Sequence, residues 1–253
     1  MVRGLDVFRT HFEAYQDRYV LIGGTACSLV MEDAGLDFRA TRDLDIVLCI
    51  EALDSEFTLA FWQFIHNGRY QNRQRSTGKK LFYRFFDPED QTFPVMLELF
   101  SRIPNVLSIR GEGHLTPIPV DEDASSLSAI LLDNEYYHFI HAGKRLIGGL
   151  PVVTPAHLIP LKVRAWLDLR ARQGAGEQVD SKDIRKHLND VFRLYQLLSL
   201  ETMVPLSGAI REDFLQFVVA PEIHSLDLKS LGIRRTSLEE AIGNLKKIYG
   251  CSL

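Results

Sequence analysis

Val20-Leu-Ile-Gly-Gly-Thr-Ala-Cys-Ser-Leu29, with Arg39-Ala-Thr-Arg-Asp-Leu-Asp-Ile-Val-Leu48 after it, joins one apolar run to paired glycines and a second apolar run to two aspartates one residue apart. In a strand, alternate side chains share a face, so Asp43 and Asp45 project together while Leu44, Ile46 and Leu48 point into a core. Two carboxylates held that close repel each other by ~1 kcal/mol at 4 Å in water, and by more in a less polar site. A divalent cation removes that penalty, and hard oxygen donors suit Mg²⁺ shared with substrate phosphates. Upstream, Gly23-Gly24 permits a tight exit from the first strand and close approach of a ligand to the backbone. The helix expected over Thr25–Met31 turns its unpaired N-terminal amides toward whatever sits above Gly24, which suits a phosphate. Taken together, these features point to phosphoryl or nucleotidyl transfer from a nucleoside triphosphate, with Mg²⁺ on Asp43 and Asp45.

Outward from this stretch, Leu5, Phe8, Phe12 and Tyr15 have helical spacing, and Asp54 can cap a helix running to about Asn67. Leu81–Phe86 and Phe93–Phe100 read as a hairpin joined by Asp87-Pro-Glu-Asp90. Glu98 interrupts the second of these strands and is the candidate third carboxylate, although an acidic residue on a sheet surface is common. Arg69, Arg73, Arg75, Lys79 and Lys80 form a basic cluster. It serves either as a solvated loop or as a contact for nucleotide phosphates or an RNA backbone. Residues 101–119 read as an irregular connection, and Tyr136–Ile140 and Val152-Val153 as short strands. Thr154-Pro155 then opens a long helix, and the pattern stays helical to the end.

The expected class is therefore α+β. Residues 1–150 form an α/β-type half, a mixed sheet with flanking helices, and residues 151–253 form a helical domain that completes the active-site cleft. In the helical half, Lys162 breaks the apolar run Leu158-Ile-Pro-Leu-Lys-Val; it either snorkels to solvent or reaches a triphosphate. Asp183 is either the N3 acid of a helix capped by Asp180 or a site residue sharing a face with His187.

Composition limits the alternatives. A 253-residue chain with a net charge of −4 and pI near 6.1 is not built to coat nucleic acid or an anionic membrane. Three scattered cysteines make no disulfide framework or metal set. No apolar run approaches the ~20 residues that span a bilayer, and the N-terminus lacks a signal-peptide core, so a cytoplasmic address is expected.

Gly23-Gly24-Thr25-Ala26, Arg39-x-Thr41-x-Asp43-Leu-Asp45, Lys162-x-x-Ala165 and Lys182-Asp183-Ile184 together resemble the polymerase-β-type nucleotidyltransferases of the AbiEii and MenT toxin group. The Arg-x-Thr-x-Asp-Leu-Asp segment is the most specific part of the resemblance. It implies that Asp43 and Asp45 bind catalytic Mg²⁺, with Glu98 as a further ligand. Gly23, Gly24, Thr25 and Arg39 would hold the NTP, Lys162 would touch its phosphates, and Asp183 would be an additional active-site acid. It also implies a tRNA 3′ end as the first candidate acceptor and an antitoxin protein as a partner. A small-molecule or protein hydroxyl acceptor, or a non-catalytic nucleotide-binding module, is the competing expectation.

Overall fold

The computed structural model describes residues 2–49, 52–71, 81–100, 118–119 and 133–251. These fall into two units, Met1–Val153 and Thr154–Leu253. The first unit runs α1 (Leu5–His11), a 3-10 turn (Glu13–Tyr15), β1 (Tyr19–Ile22), α2 (Gly23–Asp33), β2 (Asp43–Leu48) and α3 (Ser55–Gly68). It continues with β3 (Leu81–Phe86), β4 (Met96–Phe100), β5 (Ile118–Pro119), α4 (Asn134–Ala142), β6 (Lys144–Ile147) and β7 (Leu150–Val153). Among the described residues, seven strands make one mixed sheet in the order β5-β3-β4-β2-β1-β7-β6. This is an α+β fold with a helical C-terminal part.

Strand register sorts the side chains onto two faces. β1 and β2 are antiparallel with Tyr19 opposite Leu48 and Leu21 opposite Ile46. These residues, with Leu97, Leu99 and Phe85 of the neighbouring strands, face one side of the sheet. There Phe8 of α1 and Phe12 just after it pack on Tyr19 and on Phe57, Phe61 and Phe64 of α3, with ring centroids 5.2–6.2 Å apart. Phe61 also meets Phe85 at 5.6 Å. The aromatic pattern of α1 and α3 thus covers one face and leaves the opposite face to Asp43, Asp45 and α2. The Asp54 cap forms as expected, its carboxylate accepting from the Phe57 amide at 2.8 Å.

Three expectations need correcting. Tyr136–Ile140 is not a strand but the middle of α4. Asp133 accepts from the Glu135 and Tyr136 amides to start that helix, and Tyr136, Tyr137 and Ile140 are buried along one side of it. Helix-period burial outweighs the β preference of the aromatic run. The second hairpin strand begins at Met96 rather than Phe93, because Pro94 has no N–H to give a ladder. The first helix breaks at Phe12, where φ is −102° and ψ is 16°, and continues only as a 3-10 turn. Of the connection over 101–119, residues 101–117 lie outside the described ones, and Ile118–Pro119 pair with β3.

The second unit contains α5 (Pro155–Gly174), α6 (Ser181–Tyr195), α7 (Gly208–Val218), α8 (Pro221–His224), a 3-10 turn (Leu228–Leu231) and α9 (Leu238–Ile248). Pro155 occupies the first turn of α5, where its missing N–H costs nothing. Trp166 of α5 meets Phe217 of α7 edge-on at 5.3 Å, and the buried Tyr249 hydroxyl donates to the Ala156 carbonyl at 2.8 Å. No helix among the described residues is long and apolar enough to cross a membrane.

Candidate functional site

The paired glycines and the aspartate strand meet at the start of α2. Ile22 lies opposite Asp45 in the β1–β2 ladder, and the chain then turns through Gly23 at φ +67° directly into the helix. A Cβ on Gly23 would stand 1.7 Å from Asp45 Oδ2, so the Asp45 carboxylate occupies the space a side chain would fill. A Cβ on Gly24 would stand 2.5 Å from Thr41 Oγ1 and 3.8 Å from an Arg39 guanidinium nitrogen. Thr25 donates its hydroxyl to the Asp43 carbonyl at 2.6 Å, locking the helix to β2. The Arg, the Thr and both Asp of Arg-x-Thr-x-Asp-Leu-Asp therefore meet the glycine turn or the helix residue that follows it. Arg39 and Thr41 lie against Gly24, Asp43 bonds Thr25 through its carbonyl, and Asp45 lies against Gly23.

Thr25 is fully buried, with its hydroxyl proton committed to β2, so its side chain acts as a brace for the turn. The backbone of Gly23 and Gly24, both partly exposed, is what remains for a ligand. The Arg39 guanidinium also lies over the Phe38 ring, 5.2 Å from its centroid, which orients it beside Gly24.

Glu98 joins the same face through register. β4 runs parallel to β2 with Asp45 beside Glu98 and Asp43 beside Met96, and β3 places Arg84 beside Glu98. The result is a row across three strands, Asp45–Glu98–Arg84, on the side of the sheet away from the aromatic core. Arg84 Nε donates to Glu98 Oε1 at 2.6 Å, and a second guanidinium nitrogen stands 2.5 Å from the same oxygen. Glu98 is 9% exposed.

Among the described residues, no three His, Cys, Asp or Glu side chains converge as a ready-made metal cage. Two same-face carboxylates remain a fitting donor set for Mg²⁺, which keeps several waters and takes its other ligands from substrate phosphates.

Lys162 and Asp183 belong to the second unit. Lys162 is 4% exposed, its ammonium 3.2 Å from Asp190 Oδ2, and Arg193 stands 3.6 Å from the other Asp190 oxygen. Asp183 is the exposed N3 residue of α6, 3.7 Å from Lys186, with the Asp180 cap accepting from the Lys182 amide. In the basic cluster, Arg69 pairs with Glu89 at 3.0 Å, and Arg73, Arg75, Lys79 and Lys80 lie outside the described residues.

Three residues with evident roles escaped the sequence reading. Thr41 was visible as part of the motif but had no assigned contact. Arg84 is a lone charge in the apolar strand Leu81-Phe-Tyr-Arg-Phe-Phe86, the same signal that singled out Glu98. Asp190 follows Asp183 and His187 at helical spacing, seven and three residues on.

The turn makes a direct prediction. Gly23→Ala should lower stability by about 1–3 kcal/mol through left-handed strain and overpacking, and should displace the Asp45 carboxylate. Gly35→Ala is the control, since Gly35 has φ +71° but nothing within 4 Å of its would-be Cβ. Thermal unfolding of the two variants separates the clash from the backbone strain. Equal losses would show that the Asp45 contact contributes nothing.

No protein-family model matches the sequence, and no curated protein does. Among solved structures the chain is similar to an antigenic nucleotidyltransferase-like protein from Paracoccidioides brasiliensis, at 15% identity and a TM-score of 0.41, over 94% of this chain and 98% of that one. It is also similar to JHP933 from Helicobacter pylori, at 15% identity and a TM-score of 0.32, over 97% of this chain and 88% of that one.

Proposed function

We propose that this chain is an Mg²⁺-dependent nucleotidyltransferase that moves a nucleoside monophosphate from an NTP to an acceptor hydroxyl and releases pyrophosphate. The observation that carries the proposal is Asp43 and Asp45 on one face of β2, with the Asp45 carboxylate seated against Gly23 at the first turn of α2. A fold that places two carboxylates beside a phosphate-accepting helix start favours a cation between them and a polyphosphate above. Mg²⁺, when bound, offsets the charge of the triphosphate and of the departing pyrophosphate.

The chain's own residues do the positioning. The Gly23 and Gly24 backbone receives the triphosphate, Arg39 stands beside it with a fixed positive charge, and Thr25 and Thr41 hold the turn in shape. The acceptor oxygen attacks the α-phosphorus in line as the bond to the β-phosphate oxygen breaks. For Lys162 as a phosphate contact and Asp183 as a further active-site acid, the support is the motif resemblance alone.

A tRNA 3′ end is the proposed acceptor, and the proposed setting is the toxin of a two-gene module with an antitoxin partner. Both rest on the motif resemblance. Incubation with each of the four α-labelled NTPs, Mg²⁺ and total RNA tests the acceptor. Label on RNA, falling steeply as salt rises, is the expected result. Label on the protein itself or on small molecules, with little salt dependence, would move the proposal to a different acceptor class.

A further inference from the structure

The Asp45–Glu98–Arg84 row carries a consequence for the metal proposed above, and this inference rests on that reading. Two guanidinium nitrogens of Arg84 grip one oxygen of Glu98, at 2.6 and 2.5 Å, with the Glu98 side chain 11% exposed. Arginine–carboxylate hydrogen bonds are charge-assisted and stronger than neutral ones. Strand register fixes both members, since Arg84 and Glu98 are direct cross-strand neighbours in the β3–β4 ladder. Charge points the same way. Arg84 offsets the charge of Glu98, which would otherwise add to that of Asp43 and Asp45 on the same face.

We propose that Arg84 is a positioning residue that withholds Glu98 from the metal. The cation is then bound by Asp43 and Asp45 alone, and the Arg84–Glu98 pair sets how tightly. Glu98 therefore acts as the counter-ion of Arg84 and not as a third ligand. Releasing it should convert a two-carboxylate site into a three-carboxylate site of higher affinity.

Mn²⁺, titrated into the full chain without nucleotide and followed by loss of the free-ion electron paramagnetic resonance signal, reads this directly. Glu98→Gln, which keeps an oxygen for Arg84, is expected to leave the Mn²⁺ Kd within about twofold of the parent, whereas Asp45→Asn should weaken it about tenfold or more. Arg84→Met should tighten binding by about fivefold or more as Glu98 is freed, and adding Glu98→Gln should remove that gain. Arg84→Lys, which keeps the charge but loses the fork, should lie between. A Glu98→Gln loss as large as that of Asp45→Asn would overturn the inference and make Glu98 a ligand. If neither Asp43→Asn nor Asp45→Asn weakens Mn²⁺ binding, the failure lies in the underlying metal reading, and the role of Arg84 falls with it. Glu98→Gln settles the point even where Arg84→Met fails to fold.

Discussion

Asp45→Asn is expected to reduce nucleotidyl transfer by about a thousandfold, a loss of about 4 kcal/mol of transition-state stabilisation, while the protein stays folded. Asparagine has nearly the same shape, so it fits the space against Gly23 that the missing Cβ leaves to Asp45 Oδ2. What it removes is the charge. In metal-free buffer the thermal midpoint should therefore stay within a few degrees of the parent. Adding Mg²⁺ should stabilise the parent by about 2.7 kcal/mol at a hundred times Kd, and the variant, with its Kd weakened tenfold or more, by no more than about 1.4 kcal/mol. A variant that loses activity together with its fold would assign Asp45 to the structure of the turn. One that keeps activity would remove it from the chemistry.

Lys162→Met carries the largest expected effect on stability. Asp190 is fully buried between α5 and α6, with Lys162 at 3.2 Å and Arg193 at 3.6 Å. Removing one partner of a buried pair costs about 3–5 kcal/mol where the other charge is left uncompensated, and with Arg193 still beside Asp190 the loss should fall toward the lower end of that range. For a chain of this length that lowers Tm on the order of 10 °C. Replacing both partners with apolar residues, as in Lys162→Met with Asp190→Leu, should recover most of the loss, because Arg193 is partly exposed and can turn to water. Lys162→Met that keeps the parent's Tm but loses transfer activity would assign the ammonium to phosphate binding, as the motif resemblance implied.

The glycine turn and the aspartate strand were legible in the sequence because their physics is local. Period-two alternation puts Asp43 and Asp45 on one face, and a Gly-Gly pair after a short apolar run marks a turn that needs a bare backbone. The same local logic found the Asp54 and Asp180 caps. It failed at Tyr136–Ile140, where aromatic composition favoured a strand although Asp133 stood in the capping position.

Pairings between distant segments were not legible. Glu98 stood out as a charge in an apolar strand, and Arg84 carries the same signal, but only the β3–β4 register makes them partners. In the same way, Lys162 stood out as a charge in an apolar run, and only the packing of α6 on α5 brings Asp190 to 3.2 Å from it. The bond that ties Thr25 to the Asp43 carbonyl at 2.6 Å, bracing helix against strand, was likewise not legible.

Nucleotidyl transfer moves the α-phosphate, and not the γ-phosphate, to the acceptor. The most direct measurement places the label at either position of the same NTP, with Mg²⁺ and total RNA, and follows it in the parent and in Asp45→Asn. Nucleotidyl transfer predicts that the α-label appears on the acceptor and the γ-label in pyrophosphate, both lost in the variant. The γ-label on the acceptor, or no transfer of either label by the parent, would contradict it.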